Sequence, residues 1–218
     1  MSNLNSSYIG LRKDILRHIN RKNSIVLDIG CAIGENGRYL LNNNLASKVI
    51  GIEIDSAMAE VSREKLTQVI VGNIESQEVI DKLPKGLLYD YIILGDVLEH
   101  LNQPWDLLKF LSGLLNEDGE VIISLPNVQH IDVFIHVFIK GVWPLNERGI
   151  FDKTHLRWFT HKNIINLVNS SDLRVVHIHR NFRFRDRKGS KFPFYGKFLK
   201  MLFKNLYTHQ YIVVCKKK

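Results

Sequence analysis

Ser24-Ile-Val-Leu-Asp-Ile-Gly-Cys-Ala-Ile-Gly34 runs from a short apolar stretch straight into a loop with a glycine at each end. Six residues rich in β-branched side chains, closed by glycine, are too short for a helix and read as a buried strand. Gly30 and Gly34 let the backbone turn tightly and let a ligand approach it closely. Residues 36–43 then have the composition of a helix. Strand, tight turn and helix form the opening unit of an open α/β sheet, in which ligands sit beyond the carboxyl ends of the strands.

The same rhythm continues outward. Residues 48–53, 68–71, 89–94 and 120–124 read as further strands. Between them, 57–66 reads as a helix capped by Ser56, with Met58, Val61 and Leu66 on one face. Residues 104–115 read as a helix with Pro104 near its start, where proline is favoured. Asn116-Glu-Asp-Gly119 is a turn. After Pro126 the rhythm changes. Residues 131–142 read as a helix with Ile131, Phe134, Ile135, Phe138, Ile139 and Val142 on one side. Thr160 can cap a helix through 168, and 173–178 and 210–215 read as two final strands. The first segment, 4–19, is apolar at Leu4, Ile9, Leu11, Ile15, Leu16 and Ile19, the later ones at helical spacing. The expected fold class is α/β: a doubly wound, Rossmann-like, seven-stranded, mostly parallel sheet with helices on both faces and the last strand antiparallel. One domain spans 1–218, with an acceptor-side insertion at 129–160 and a basic aromatic insertion at 181–208 before the last strand.

Length and composition agree with one such domain: 218 residues, 45% hydrophobic and 24% charged. Cys31 and Cys215 have no near partner at metal-ligand spacing, which argues against a zinc knuckle or a disulfide framework. A reducing, cytoplasmic location is the simplest reading. The first residues lack a continuous apolar region and carry Arg12, Asp14 and Arg17, so no secretory signal is expected. The longest apolar stretch, 131–143, contains Asp132, His136 and Lys140 and is too short and polar to span a bilayer. The net charge of +8 is concentrated in the tail: from Arg180 onward twelve Lys and Arg face one acid, Asp186, while the rest has more acids than bases. Such a segment attracts phosphate, lipid head groups or nucleic acid.

A dinucleotide loop needs glycines at Gly-x-Gly-x-x-Gly, and starting from Gly30 those places hold Ala32 and Glu35. Glutamate there would bring negative charge towards a pyrophosphate. A Walker loop is absent too. An adenosyl ligand with an amino-acid tail fits better. Asp28 can accept from its ammonium, and Glu53, twenty-three residues after Gly30, can accept from both ribose hydroxyls. Asn73 and Ile74 can hold adenine after the third strand, and Gly95, Asp96 and Val97 end the fourth beside the methionyl part.

Val26 to Gly34, Gly51-Ile-Glu-Ile-Asp55, Val71-Gly-Asn-Ile74, Gly95-Asp-Val-Leu-Glu-His-Leu101 and Ile123-Ser-Leu-Pro-Asn127 together resemble the ordered motifs of class I S-adenosylmethionine-dependent methyltransferases. The run Gly149-Ile-Phe-Asp-Lys-Thr-His-Leu-Arg-Trp-Phe-Thr160 is similar to that of small bacterial members associated with glycosyltransferases and surface polysaccharide synthesis. The resemblance implies S-adenosylmethionine as cofactor, S-adenosylhomocysteine as product, and Asp28, Gly30, Cys31, Ala32, Gly34, Glu53, Ile54, Asn73, Ile74, Gly95, Asp96 and Val97 as its binding residues. It implies methyl transfer, most simply to oxygen, on a small-molecule or glycan-type acceptor, and the residues themselves lead us to expect that transfer to be metal-independent. Ala32 stands where the family usually has glycine, which is tolerable unless the backbone needs positive φ. Asn73 stands where aspartate is commoner, and either can reach the adenine amino group.

A hydroxyl acceptor calls for a general base, usually histidine near neutral pH. His130 and His155 are the leading candidates, with His100 after them. Asp152, His155 and Arg157 can bind the acceptor, Arg157 gripping a phosphate or carboxylate by two hydrogen bonds. Each has a plainer reading: a helix start for His100, an internal salt bridge for the Asp152–Arg157 run. Asp96, Glu99 and His100 are acid-rich, but no metal is expected because sequence does not bring them together. In the basic segment, Phe182-Arg-Phe-Arg-Asp-Arg-Lys188 alternates aromatic and basic residues. Phe194, Phe198, Leu199, Leu202, Phe203 and Leu206 recur at helical spacing beside Lys197, Lys200 and Lys204. It reads as a basic amphipathic helix over 194–206: packed on the domain, lying on the inner face of a membrane, or closing over a phosphate-bearing or lipid-linked acceptor. RNA ranks behind these, because the main domain is net acidic. A catalytically weak, cofactor-binding partner of a glycan-modifying enzyme is the alternative to a methyltransferase.

Overall fold

The computed structural model describes residues 10–187 and 189–218. Leu4, Ile9 and Lys188 lie outside the described residues, as does the side chain of Lys197. Seven strands form one sheet: β1 (Ser24–Ile29), β2 (Ala46–Glu53), β3 (Gln68–Val71), β4 (Tyr89–Gly95), β5 (Leu115–Pro126), β6 (Leu173–Phe182) and β7 (Thr208–Lys217), in the order β3-β2-β1-β4-β5-β7-β6. The first five pair in parallel, and β7 lies antiparallel between β5 and β6. Strand order reverses between β1 and β4, so the loops leaving their carboxyl ends diverge and open a crevice there.

The two-residue period of the strands builds two cores. Leu27, Ile29, Ile92 and Leu94 face one side, under α4 (Gln77–Asp81), α5 (Pro104–Gly113) and α7 (His161–Asn169), which contribute Val79, Leu108 and Leu167. Val26, Val49, Tyr91 and Ile93 face the other, under α1 (Lys13–Leu16), α2 (Glu35–Asn42) and α3 (Ser56–Arg63), which contribute Ile15, Leu40 and Ala59. Burial of this apolar area on both faces is the main stabilising contribution, at about 25 cal/mol per Å², and it fixes the strand ends that carry the site.

Several local expectations shift. α3 begins one residue early, because Asp55 rather than Ser56 is its cap and accepts from the Ala57 and Met58 N–H groups. α7 has the expected cap: Thr160 and Asn163 form a reciprocal capping box. The helix expected over 131–142 is α6 (Ile131–Phe134) followed by a π turn over Ile135–Ile139. Its supposed core face points outward, with Phe138 74% exposed and Phe134, Ile139 and Val142 at least half exposed. Val133 packs against Ile150 and Phe151, with Val137 partly buried beside them. The basic helix expected over 194–206 breaks at Phe203 into α8 (Gly196–Leu202) and α9 (Lys204–Tyr207). Phe194, Phe198, Met201 and Leu202 are exposed, so packing by an apolar face onto the domain is not what this segment does. Lys200 turns back over the Phe182 and Phe192 rings instead of into solvent.

Candidate active site

The loop after β1 is held from β2. Glu53 is buried, and its two carboxylate oxygens accept from the Ala32 and Asp55 N–H groups at 2.8 and 2.9 Å. Gly30 has φ +73°, and a Cβ there would come within 2.7 Å of Val97 Cγ2, so neither the backbone nor the space allows a side chain. Ala32 has φ +48°. The backbone does need positive φ at this position, the one condition under which alanine is strained. Ala32→Gly is therefore expected to raise stability by about 0.5–1 kcal/mol, the relief of strain being partly offset by glycine's unfolded-state entropy. Urea unfolding measures this; a lower midpoint would contradict a strained Ala32.

Three cavities open at the strand ends. The first, of about 600 Å³, is lined by Glu53, Ile54, Met58, Asn73, Ile74, Val97 and Leu101. Ile54 is 69% exposed, an apolar shelf with nothing packed over it. Asn73 Oδ1 accepts from the Glu75 N–H at 2.9 Å, which leaves its NH2 to donate to a purine ring nitrogen. The second cavity, of about 170 Å³, adjoins it through Gly30, Ala32, Gly95 and Asp96, and has Asp28 and Arg12 in its wall. Asp28 Oδ2 is buried with no hydrogen-bond partner among the described residues. Burial, then the nearby Glu53 charge, pushes the Asp28 carboxyl up to about 7, with Arg12 opposing. An unpartnered buried carboxyl beside a guanidinium suits a ligand that carries both an ammonium and a carboxylate. Together the two cavities fit S-adenosylmethionine: apolar walls and an amide for the base, Glu53 for the ribose, Asp28 and Arg12 for the amino-acid end. Arg12 was missed in the sequence, since an arginine in an N-terminal segment carries no local signal.

Other expected cofactor residues play indirect parts. Gly34 lines neither cavity; it caps α2 with φ +78°. A Cβ there would sit 3.1 Å from Ser62 Cβ. Cys31 reaches the second cavity, but its thiol turns to Ser62 Oγ at 3.9 Å, and burial raises its pKa. Glu35 is neutralised by Lys65 at 2.7 Å and Arg38 at 2.5 Å. Asp96 is the centre of a polar network. Its φ is +60°, and its carboxylate accepts from Arg12, Ser124 Oγ and Gln210 Nε2, each at 2.6 Å. This firmly held aspartate lines all three cavities.

The third cavity, of about 1140 Å³, is strongly polar. Arg148 and Arg187 line it, and their guanidinium groups have no hydrogen-bond or ion-pair partner among the described residues. Glu99, His100, Asp152 and His155 line it as well, and His100 also lines the first cavity. His100 Nδ1 lies 3.0 Å from Thr154 Oγ1, whose proton goes to Asp152 Oδ1 at 2.6 Å. His155 is buried, and burial, then the His100 ring, lowers its pKa. Burial, then Asp96, holds the Glu99 carboxyl well above the usual range. Asp186 and His209 share a 2.8 Å hydrogen bond on the same cavity. This pair was also missed, because the two residues come together only when the segment between β6 and β7 folds back.

Two expected site residues are placed elsewhere. His130 is fully buried and lines none of the cavities. It caps α6: Nδ1 accepts from the Asp132 N–H and Nε2 bonds the Arg183 carbonyl at 2.9 Å. With both ring nitrogens occupied, it has none for an acceptor. Arg157 points away from the cavities as well. Its guanidinium donates to the Asn102 and Leu156 carbonyls and lies over Trp105. The backbone of that run does matter: the Leu156 and Arg157 N–H groups both donate to the Glu99 carbonyl, at 2.8 and 3.0 Å.

A family model described as a methyltransferase domain matches residues 4–178. A tRNA U34 carboxymethyltransferase of Campylobacter fetus is 30% identical over 121 residues, 54% of this chain and 42% of that protein. A ubiquinone biosynthesis O-methyltransferase of Acinetobacter baylyi is 29% identical over 108 residues, 47% of this chain and 43% of that protein. The chain spans under half the length of these curated relatives. A solved SAM-dependent methyltransferase from Archaeoglobus fulgidus shares the fold, with TM-score 0.66 and 18% identity over 97% of each chain.

Proposed function

The chain belongs to the methyltransferase-domain family, and on that footing we propose that it transfers the methyl group of S-adenosylmethionine to a hydroxyl of an anionic, glycan-type acceptor. The observation that carries this reading is the junction of two unlike cavities at Asp96 and His100, one suited to a nucleoside and the other wide, polar and armed with free arginines.

Bound S-adenosylmethionine supplies an electrophilic methyl on a good leaving group. The chain's own residues must then align the acceptor oxygen, keep water from the methyl group and ease loss of the hydroxyl proton. Glu53 and Asp28 hold the two ends of the donor, and Asp96, locked by Arg12, Ser124 and Gln210, stiffens the floor between donor and acceptor. The acceptor hydroxyl is activated at Glu99, His100 and His155. Arg148 and Arg187 take a phosphate or carboxylate of the acceptor. In a panel of neutral and phosphorylated sugars, Arg148→Ala and Arg187→Ala are each expected to raise KM for phosphorylated acceptors about tenfold or more, with little change for S-adenosylmethionine. Equal use of neutral and phosphorylated sugars would remove the anionic acceptor.

The acceptor class extends to lipid-linked glycans on the strength of α8. Phe194, Phe198, Met201 and Leu202 are exposed beside a basic segment, a pattern that suits an anionic membrane surface. No helix among the described residues is long and apolar enough to cross a membrane. Sedimentation with vesicles containing anionic phospholipid is expected to retain the protein, with neutral vesicles and a Phe194→Ser/Phe198→Ser variant retaining at least about fivefold less. Equal retention in all three would sink the membrane contact. An RNA acceptor finds less support. Phe184 and Tyr207 stack on each other at 5.9 Å and pack with Phe192, so those rings are not free for bases.

A further inference from the structure

Glu99 lies in the single 3-10 turn over Leu98–His100 that follows β4. Its side chain is 1% exposed. Its Oε2 has no hydrogen-bond partner among the described residues, a costly state for a buried acid. His155 Nε2 stands 3.9 Å from the other oxygen. The His100 and His155 rings are 4.8 Å apart, edge to face. One ligand atom from each of the three side chains lies within 4.8 Å of the others. Bonds of about 2.0–2.2 Å to a shared ion would place such atoms about 3–4 Å apart, so a small closure completes the set. Both histidines are already oriented from behind. His100 Nδ1 meets the Thr154 hydroxyl, itself fixed by Asp152, and the His155 ring bonds the Ile150 backbone. Such outer contacts typically aim histidine ligands at a metal.

From this geometry we propose that Glu99, His100 and His155 bind one divalent transition-metal ion of the Zn2+ or Co2+ kind. Two imidazoles and one carboxylate favour these ions over Mg2+, which prefers oxygen ligands and bound water. Three protein ligands leave an open position, and all three residues line the large polar cavity. Resting on the methyl-transfer reading, the open position takes the acceptor hydroxyl oxygen. The ion lowers the pKa of that hydroxyl, its proton leaves to solvent, and the oxygen bonds the methyl carbon as the electron pair of the breaking C–S bond returns to sulfur. This replaces the metal-free chemistry expected from sequence.

The test is Co2+ titration of chelator-stripped full-length protein, followed by visible absorption and by competition with Zn2+. One equivalent of Co2+ is expected to give a d–d band that Zn2+ abolishes and Mg2+ does not. His100→Ala and the isosteric Glu99→Gln, each checked for folding by thermal melting, should weaken Co2+ binding about 100-fold or more. His177→Ala, from the separate His18–His177–His179 group, should leave it unchanged. No stoichiometric band, a band retained in both ligand variants, or a band lost in His177→Ala would overturn the site. Stoichiometric binding without methyl transfer to any acceptor would keep the metal site and reject the methyl-transfer reading. Full turnover by the stripped enzyme would keep methyl transfer and reject the metal.

Discussion

Replacing His100 with alanine should lower turnover by about 100- to 10,000-fold while leaving affinity for S-adenosylmethionine within about threefold. His100 is the one histidine lining both the nucleoside cavity and the acceptor cavity among the described residues. It stands at the end of the Asp152–Thr154 relay and against the His155 ring. It is half-buried at the cavity wall rather than in the core, so truncation costs little packing and the effect falls on kcat. His130→Ala should behave oppositely. It removes a buried helix cap, lowers the melting temperature and spares the chemistry. Rapid-quench measurement of methyl transfer alongside calorimetric titration of the cofactor separates the two. Equal kcat losses in both variants would contradict the assignment.

The second large effect concerns the cofactor. Glu53→Ala should weaken S-adenosylmethionine binding by at least about 100-fold, the loss of two charge-assisted hydrogen bonds at roughly 1.5–3 kcal/mol each. The substitution also frees the Ala32 and Asp55 N–H groups that shape the loop. Affinity of the intact protein should depend on pH through Asp28, whose carboxyl is pushed up to about 7 by burial and then by Glu53. Below that pH the free protein keeps the proton and offers an ammonium no charge, so affinity falls about tenfold for each unit and levels off above 7. By the same linkage, the stabilising effect of the protonated Asp28 in the free fold is complete below its unfolded value and is lost as pH rises through 7. Titration calorimetry from pH 5.5 to 8 reads this directly; a flat profile, or one that survives in Asp28→Asn, would remove Asp28 from the ammonium site.

What could be read beforehand follows from how local each signal is. β1 and β3 have the expected bounds, because a short β-branched run closed by glycine has few alternatives. Glu53, Asp28 and Asn73 fall at the cavities because each sits at a strand end, a position set by the sheet order alone. Beyond β5 the signals fail for a physical reason. A helical apolar period says that one face is apolar, not that a partner covers it, and Phe138 and Phe198 are exposed for want of one. His130 follows a strand end as His100 does, but the chain turns it inward to cap α6. Long-range pairings were invisible: Arg12 with Asp96, Asp186 with His209, and His100 with His155 all join distant segments. On the acceptor side His100 and His155 were legible singly but their pairing was not, whereas the cofactor side was legible residue by residue apart from Arg12.

Transfer of a labelled methyl group from S-adenosylmethionine to phosphorylated and unphosphorylated glycan acceptors, by wild-type protein and His100→Ala, tests the central claim most directly. The account predicts label in the phosphorylated acceptor, one S-adenosylhomocysteine released per methyl transferred, and loss of at least about 99% of that rate in the variant. Cofactor binding of normal strength with no label in any hydroxyl-bearing acceptor, or full transfer by His100→Ala, would contradict it.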